Sequence, residues 1–225
     1  MPEISVEQDI MSANDRLAAE VRGRLDAAGV LAFNLMASPG AGKTSVIIRT
    51  VEALKDELKL AALDGDVATL DVEKIAATGI PVALVNTGGN CHLDASMIHT
   101  ALPGIDLAGL DLLLVENVGN LICPAAFQLG THYNVVIASV AEGDDKPYKY
   151  PAMFRGADVL LLNKIDMLRY EAFDVDYFRR GVEVLNPGLA FFPLSARTGE
   201  GFDAWLGWVR ARVAAYKEPS AAAQT

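Results

Sequence analysis

The sequence predicts an α/β protein built on a doubly wound, mostly parallel sheet with helices on both faces. Three observations carry that prediction. Short apolar runs alternate with helix-patterned segments along the whole chain. The runs are continuously apolar rather than alternating, as strands covered on both faces require. The polar, glycine-rich punctuation follows the runs, at the strand ends where open α/β sheets hold their ligands. A length of 225 residues suits one domain with terminal additions.

Taken in order, Val6, Ile10, Leu17, Val21 and Leu25 recur at helical spacing and Gly29 closes the run. Residues 1–29 are therefore expected to carry an amphipathic helix packed on the domain. Residues 30–37 read as the first strand, 43 to about 58 as a helix and 60–63 as a second strand. Leu70, Ile75 and Ala76 suggest a short helix, 81–85 a strand and 94–102 a helix. Residues 111–116 form an apolar strand with a carboxylate at its carboxyl end, and further strands are expected at 133–140, 159–163 and 189–194. A closing helix spans 203–216, with Phe202, Leu206, Val209 and Val213 near one face. The main domain is expected over 30–217, followed by a flexible tail at 218–225.

Composition narrows the function. With 29 acidic and 19 basic residues the formal charge is −10, and no Lys/Arg stripe could track a phosphate backbone, which argues against nucleic acid. No apolar stretch approaches the roughly 18 residues that span a bilayer, and the first residues are acidic where a signal peptide is basic. A cytoplasmic protein with no membrane partner is expected. In a reducing compartment the two cysteines, Cys91 and Cys123, read as a metal or redox pair rather than a structural disulfide.

The segment Ala37-Ser38-Pro39-Gly40-Ala41-Gly42-Lys43-Thr44 joins the first strand to a helix as a phosphate-binding loop does. Backbone N–H groups of Gly40, Ala41 and Gly42 would turn onto one anion, and Ser45 opens the helix whose dipole adds to them. Lys43 would reach the β and γ phosphates and the Thr44 hydroxyl would ligate Mg²⁺. The first glycine of the consensus falls on Ala37. Glu116 matches a Walker B carboxylate, also toward Mg²⁺, and Gly119 could offer its N–H to a γ-phosphate. Asp64 or Asp66 could complete the Mg²⁺ shell or position the attacking water, with Asp66 preferred. The catalytic set expected is thus Lys43, Asp66, Glu116 and Gly119.

Asn163-Lys164-Ile165-Asp166 follows a buried strand. Guanine offers an N1–H and an exocyclic amine side by side, and one aspartate accepts both, whereas adenine presents an acceptor at N1. Asp166 would select GTP, Lys164 would lay its stem along the base, and Asn163 would fasten the loop. Ser195-Ala196-Arg197-Thr198-Gly199 would add backbone contacts, chiefly from Ser195 and Ala196.

Cys91-His92 and Cys123 lie in loops near the γ-phosphate edge. Two thiolates and an imidazole suit Zn²⁺ as an incomplete tetrahedron or Ni²⁺ with further donors. The open position could take water or the same ligands from a second protomer. Two buried thiols and a loop histidine with no metal are an equally simple reading of these residue types.

The chain resembles the hydrogenase nickel-incorporation GTPases of the HypB type, P-loop NTPases of the metal-chaperone class, over roughly 30–201. The resemblance rests on 37–44, Asn90-Cys91-His92-Leu93-Asp94-Ala95, the 116–124 run from Glu116 through Cys123-Pro124, Glu142-Gly143-Asp144-Asp145-Lys146-Pro147 and 163–166. It implies a GTP/GDP cycle with Mg²⁺ and slow intrinsic hydrolysis. It further implies a Ni²⁺ or Zn²⁺ site of Cys91, His92 and Cys123 at a nucleotide-dependent homodimer interface. A HypA-type nickel accessory protein and a hydrogenase large-subunit precursor are the implied partners. Cysteine and histidine are absent before Cys91, so the additional amino-terminal metal motifs of some members have no counterpart. Lys146 or Lys149 could act across the dimer, a solvated lysine being the simpler reading of each. Rival readings are a urease-type nickel GTPase, which typically carries Cys-Pro-His, a P-loop small-molecule kinase, and a metal-sensing module that uses nucleotide only structurally.

Overall fold

The computed structural model describes residues 6–65 and 69–218. Its sheet has seven strands, all parallel: β1 (Leu31–Ala37), β2 (Leu60–Asp64), β3 (Val82–Leu84), β4 (Leu112–Glu116), β5 (Tyr133–Ser139), β6 (Val159–Asn163) and β7 (Ala190–Pro193). Their spatial order is β3-β2-β4-β1-β5-β6-β7. The chain winds from β1 out to β3, returns to β4, and then moves past β1 to β5, β6 and β7. That reversal makes the carboxyl end of β1 the switch point of the sheet, where a ligand crevice is expected.

The helices are α1 (Val6–Ala28), α2 (Lys43–Leu54), α3 (Leu70–Ala76), α4 (Ala95–Ala101), α5 (Lys146–Lys149), α6 (Pro151–Arg155), α7 (Val175–Leu185) and α8 (Phe202–Lys217). Successive β1 residues serve opposite faces, as strand geometry requires. Leu31, Phe33 and Leu35 pack with Val46, Ile47 and Val51 of α2 and with Trp205 and Val209 of α8. Ala32 instead faces Val21 and Leu25 of α1 and Ile98 of α4, while Met36 joins a third cluster containing Phe154 of α6 and Phe178 of α7. Burial on both sides explains why the inner strands are almost continuously apolar, whereas the edge strands β3 and β7 are half-buried.

The α1 helix docks through polar anchors as well as its apolar stripe. Buried Asn14 donates to the Gln128 carbonyl (2.9 Å) and accepts from the Ala95 N–H (2.9 Å), and Arg22 Nε donates to the Gly130 carbonyl (2.8 Å).

Three differences from the sequence reading concern helices. The second helix stops at Leu54 rather than near 58, because the chain turns to bring the Lys59 N–H onto the Asp111 carboxylate at 2.7 Å. The helix expected over 94–102 runs Ala95–Ala101, with Asp94 capping it by accepting from the Met97 N–H (2.8 Å), and gives way to a 3₁₀ turn at Pro103. Helices α5, α6 and α7 are absent from the sequence reading. Pro147 and Pro151 lie in the first turns of α5 and α6, and Asp174 caps α7, its side chain accepting from the Tyr177 N–H at 2.9 Å. Among the described residues no helix is long and apolar enough to cross a membrane. Asp66 and residues 219–225 of the expected tail lie outside the described residues.

Candidate functional site

From β1 the chain turns through residues 38–42 into α2 at the sheet's switch point. Gly40 and Gly42 have φ of 78° and 99°. Ala37, by contrast, is a fully buried strand residue, and Lys164 is the one non-glycine with positive φ among the described residues. Position 37 therefore makes no demand for glycine, which accounts for the departure from consensus.

A cleft of about 400 Å³ opens here, lined among others by Gly40, Thr44, Asp64, Asp71, Lys74 and Gly119. On its floor Glu116, 4% exposed, accepts from the Thr44 hydroxyl at 2.8 Å, with Lys43 Nζ 3.9 Å from the same oxygen. Glu116 Oε2 has no hydrogen-bond partner among the described residues. Asp64, the less favoured aspartate at the level of sequence, is buried and stands in register beside Glu116 across the β2–β4 pairing. Burial pushes the Glu116 carboxyl up to about 7, with the Asp64 charge adding to it and Lys43 opposing. Two buried carboxylates and a hydroxyl form an all-oxygen donor set with an unmatched acceptor, which fits a hard divalent cation such as Mg²⁺. Gly119 lies against the loop: a Cβ there would sit 3.2 Å from the Pro39 backbone. The Asp71–Lys74 ion pair (2.7 Å) at the cleft wall escaped the sequence reading, since only the placement of α3 brings it there.

This geometry has a pH signature. The folded pKa of Glu116 lies above the ordinary carboxylate value, so between about 4.5 and 7 the folded state holds a proton that the unfolded chain releases. Stability of the protein without nucleotide or divalent cation is expected to fall as pH rises through that window, by at most about 3 kcal/mol. Thermal denaturation from pH 5.5 to 8 should show the decline in wild type and a flatter profile in Glu116→Gln; parallel profiles would exclude Glu116 as its source.

The other flank of the loop is tied to β6 and β7. Asn163 Nδ2 donates to the Ala41 carbonyl (2.9 Å), and Asn163 Oδ1 accepts from the Ala196 N–H (3.0 Å) and the Lys164 N–H (2.8 Å). Lys164, at φ 61°, sends its ammonium to the Gly40 carbonyl at 2.6 Å. Asp166 accepts from the Ser195 hydroxyl at 2.6 Å and lies 3.1 Å from Arg197 Nη2. The Ser195 bond first, and then Arg197, hold its carboxyl below the usual range, so it is an ionised acceptor. Asn163, Lys164, Asp166, Ser195 and Ala196 are thus one assembly with the 40–42 turn. Ser195 contributes its hydroxyl to Asp166, a role the sequence reading did not give it.

The cysteines meet as well. Cys91 Sγ lies 3.0 Å from Cys123 Sγ and 3.6 Å from His92 Nδ1, and one ligand atom from each of the three residues falls within 4.8 Å of the others. Cys91 is exposed and Cys123 half-buried, so the reading as two buried thiols does not hold. The His92 ring stacks on Phe127 at 4.0 Å between centroids, and burial lowers its pKa, favouring the neutral imidazole that can ligate. The hydrogen bond to Cys123 first, with burial behind it, raises the Cys91 thiol.

A buried amide ladder connects these parts, and it too was missed from sequence. Asn34, in the middle of β1, donates to Asn134 Oδ1 (3.1 Å) and accepts from Asn117 Nδ2 (3.1 Å). Asn117 Oδ1 then takes the N–H groups of Leu93 (3.0 Å) and Val118 (2.9 Å). The loop bearing Cys91 and His92 is thereby fastened to the residue that follows Glu116. A lone amide inside an apolar strand was the available signal.

A parallel sheet with a glycine turn at its switch point, a buried strand-end carboxylate and a guanine-type Asn-Lys-x-Asp loop defines a P-loop GTPase. Residues 31–193 match the CobW/HypB/UreG nucleotide-binding domain family. The hydrogenase maturation factor HypB of Azotobacter vinelandii is 46% identical over 228 residues, covering 97% of this chain and 75% of that protein. Among solved structures, HypB from Archaeoglobus fulgidus superposes with a TM-score of 0.84 at 39% identity, over 90% of this chain and 99% of that one. HypB from Helicobacter pylori, solved in complex with nickel, gives 0.86 at 34% identity, over 90% and 96% respectively. The chain belongs to the HypB family of hydrogenase maturation factors.

Proposed function

We propose that this protein is a GTP-hydrolysing nickel metallochaperone that delivers nickel to a hydrogenase precursor, working in the cytoplasm. The observation that carries the proposal is the amide ladder: it joins the Cys91–His92 loop to Asn117, one residue beyond the carboxylate of the nucleotide cleft. Gly40, Ala41, Gly42, Lys43, Thr44 and Ser45 bind the phosphates, and Asn163, Lys164, Asp166, Ser195 and Ala196 bind guanine. Thr44 and Glu116, with Asp66 or Asp64, would hold Mg²⁺, which would supply charge neutralisation at the triphosphate. Lys43 adds positive charge where the leaving oxygen develops negative charge, and Gly119 offers its N–H to the γ-phosphate in the GTP state.

Nickel is the cargo, taken by Cys91, His92 and Cys123. Gly119 and Cys123 share one segment, so gain or loss of the γ-phosphate moves a metal ligand's own loop. The three ligands are completed by a second copy of the chain in a homodimer. A HypA-type nickel accessory protein and a hydrogenase large-subunit precursor are the further partners. The GTPase unit spans 30–217, with the α1 helix (Val6–Ala28) as an addition to it.

Because binding linkage is reciprocal, Ni²⁺ affinity should differ about 5- to 150-fold between the GDP state and a non-hydrolysable GTP analogue. Metal titration with each nucleotide, for wild type and Cys123→Ala, followed by molecular mass in solution, tests this. Equal affinities in the two states would remove the coupling, and unaltered Ni²⁺ binding by Cys123→Ala would remove the site. A protein that never releases phosphate from GTP would instead be a metal-sensing module.

A further inference from the structure

We infer that Cys91 and Cys123 are a thiol switch: a peroxide converts them to an intramolecular disulfide that closes the metal site to its cargo. The two sulfurs lie 3.0 Å apart, about 1 Å more than a disulfide bond. They come from loops on different strands, yet the backbone around them is fixed. Asn120 Nδ2 donates to the Cys91 carbonyl at 3.2 Å, and Asn120 Oδ1 accepts from the Ile122 N–H at 2.8 Å, one residue before Cys123. On the other side Leu93, two residues after Cys91, is held by Asn117. Closing the bond brings the two sulfurs about 1 Å nearer, while the hydrogen bonds of Asn120 and Asn117 keep both loops in place. Cys91 is exposed, so a small oxidant reaches it from solvent.

The step balances with hydrogen peroxide as the oxidant. The exposed Cys91 thiol, on losing its proton to solvent, attacks one peroxide oxygen; the O–O bond breaks, hydroxide leaves and a sulfenic acid forms. The neighbouring Cys123 sulfur then attacks the Cys91 sulfur; the S–O bond breaks, water leaves with the Cys123 proton, and the disulfide forms. Two electrons pass from the sulfur pair to the peroxide. A dithiol reductant reverses the reaction. Metal and disulfide are mutually exclusive, because both use the same two sulfurs, so bound metal protects the pair and oxidation expels or excludes metal. The oxidised loops would also be tied to the segment carrying Gly119, which packs on Pro39 beside the phosphates.

The consequence for cargo rests on the metal-transfer reading above, whereas the thiol chemistry does not, and the experiment separates them. Metal-free full-length protein is treated with a slight excess of hydrogen peroxide, and titratable thiols, intact mass and non-reducing electrophoretic mobility are followed. The expected result is loss of both thiols, a mass lower by about 2 Da, a monomeric band, and full recovery with dithiothreitol. Ni²⁺ added beforehand should slow thiol loss by more than about tenfold, and oxidised protein should bind Ni²⁺ at least about a hundredfold more weakly until reduced. Cys91→Ser and Cys123→Ser, each with one thiol, should gain oxygen mass or cross-link between chains and should never show the 2 Da loss. Persistent thiols, mass increases from sulfinic acid in wild type, or a cross-linked wild-type dimer would overturn the switch. If the disulfide forms but Ni²⁺ binds neither oxidised nor reduced protein, the thiol switch stands and the nickel reading fails.

Discussion

Asp166→Asn is expected to lower GTP affinity about a hundredfold while raising affinity for xanthosine triphosphate, leaving weak ATP binding unchanged. The carboxylate accepts from both the N1–H and the exocyclic amine of guanine, and two hydrogen bonds to a charged group contribute about 1.5–3 kcal/mol each. An asparagine keeps one acceptor but turns an N–H toward the amine, donor against donor. Xanthine carries a carbonyl at that position, so the same N–H finds an acceptor. The ionised state of Asp166 is already secured by the Ser195 hydroxyl and Arg197. Arg197 has a side chain 74% exposed and can leave the carboxylate when the base arrives, whereas Ser195, fully buried, stays to orient it. Fold integrity should be little affected, because the asparagine oxygen can still accept from Ser195. Competitive titration with GTP, XTP and ATP measures the outcome, and an unaltered preference for GTP would refute the assignment of the base pocket.

The strands are legible in the sequence because they are short, almost continuously apolar runs bounded by polar turns; burial on both faces forces that composition on the inner strands, while the edge strands β3 and β7 are half-buried. The glycine turn, Glu116 and the 163–166 loop are legible for a related reason: each is a local pattern whose chemistry depends on neighbours in sequence. What escaped depends on partners far along the chain. Asn34 looks like a blemish in an apolar strand until Asn134 and Asn117, 100 and 83 positions away, complete its hydrogen bonds. Asp71 and Lys74 resemble ordinary helix-surface charges, and only the return of α3 toward the sheet puts them on the cleft wall. Helix α7 had local signals in the Asp174 cap and in Phe178, Val182 and Leu185 at helical spacing, with Arg179, Arg180 and Glu183 on the opposite face, so it was legible although the sequence reading passed over it. The proximity of Cys91 to Cys123 was implied by motif order alone, and their 3.0 Å separation could not be.

Gly42→Ala is expected to cost about a hundredfold in affinity for both GTP and GDP, more than Gly40→Ala, although both glycines have positive φ. Backbone strain alone is similar at the two, about 1–2 kcal/mol for an L residue in the left-handed region. The difference lies in what the new methyl meets. At Gly40 nothing lies within 4 Å, whereas at Gly42 a Cβ falls 2.6 Å from Asn163 Nδ2. That amide cannot simply retreat. It holds the Ala41 carbonyl at 2.9 Å, and its other end holds the Ala196 and Lys164 N–H groups, so the clash loosens the phosphate turn and the guanine loop together. Isothermal titration of the two alanine variants should therefore separate by about tenfold, since strain is common to both and collision is not. Asn163→Ala supplies the decisive cycle. Alone it should weaken nucleotide binding by releasing three hydrogen bonds, but combined with Gly42→Ala it removes the collision, so the double variant should bind more tightly than the sum of the single losses predicts. Strict additivity would mean that the Asn163 side chain is not what makes glycine necessary at position 42.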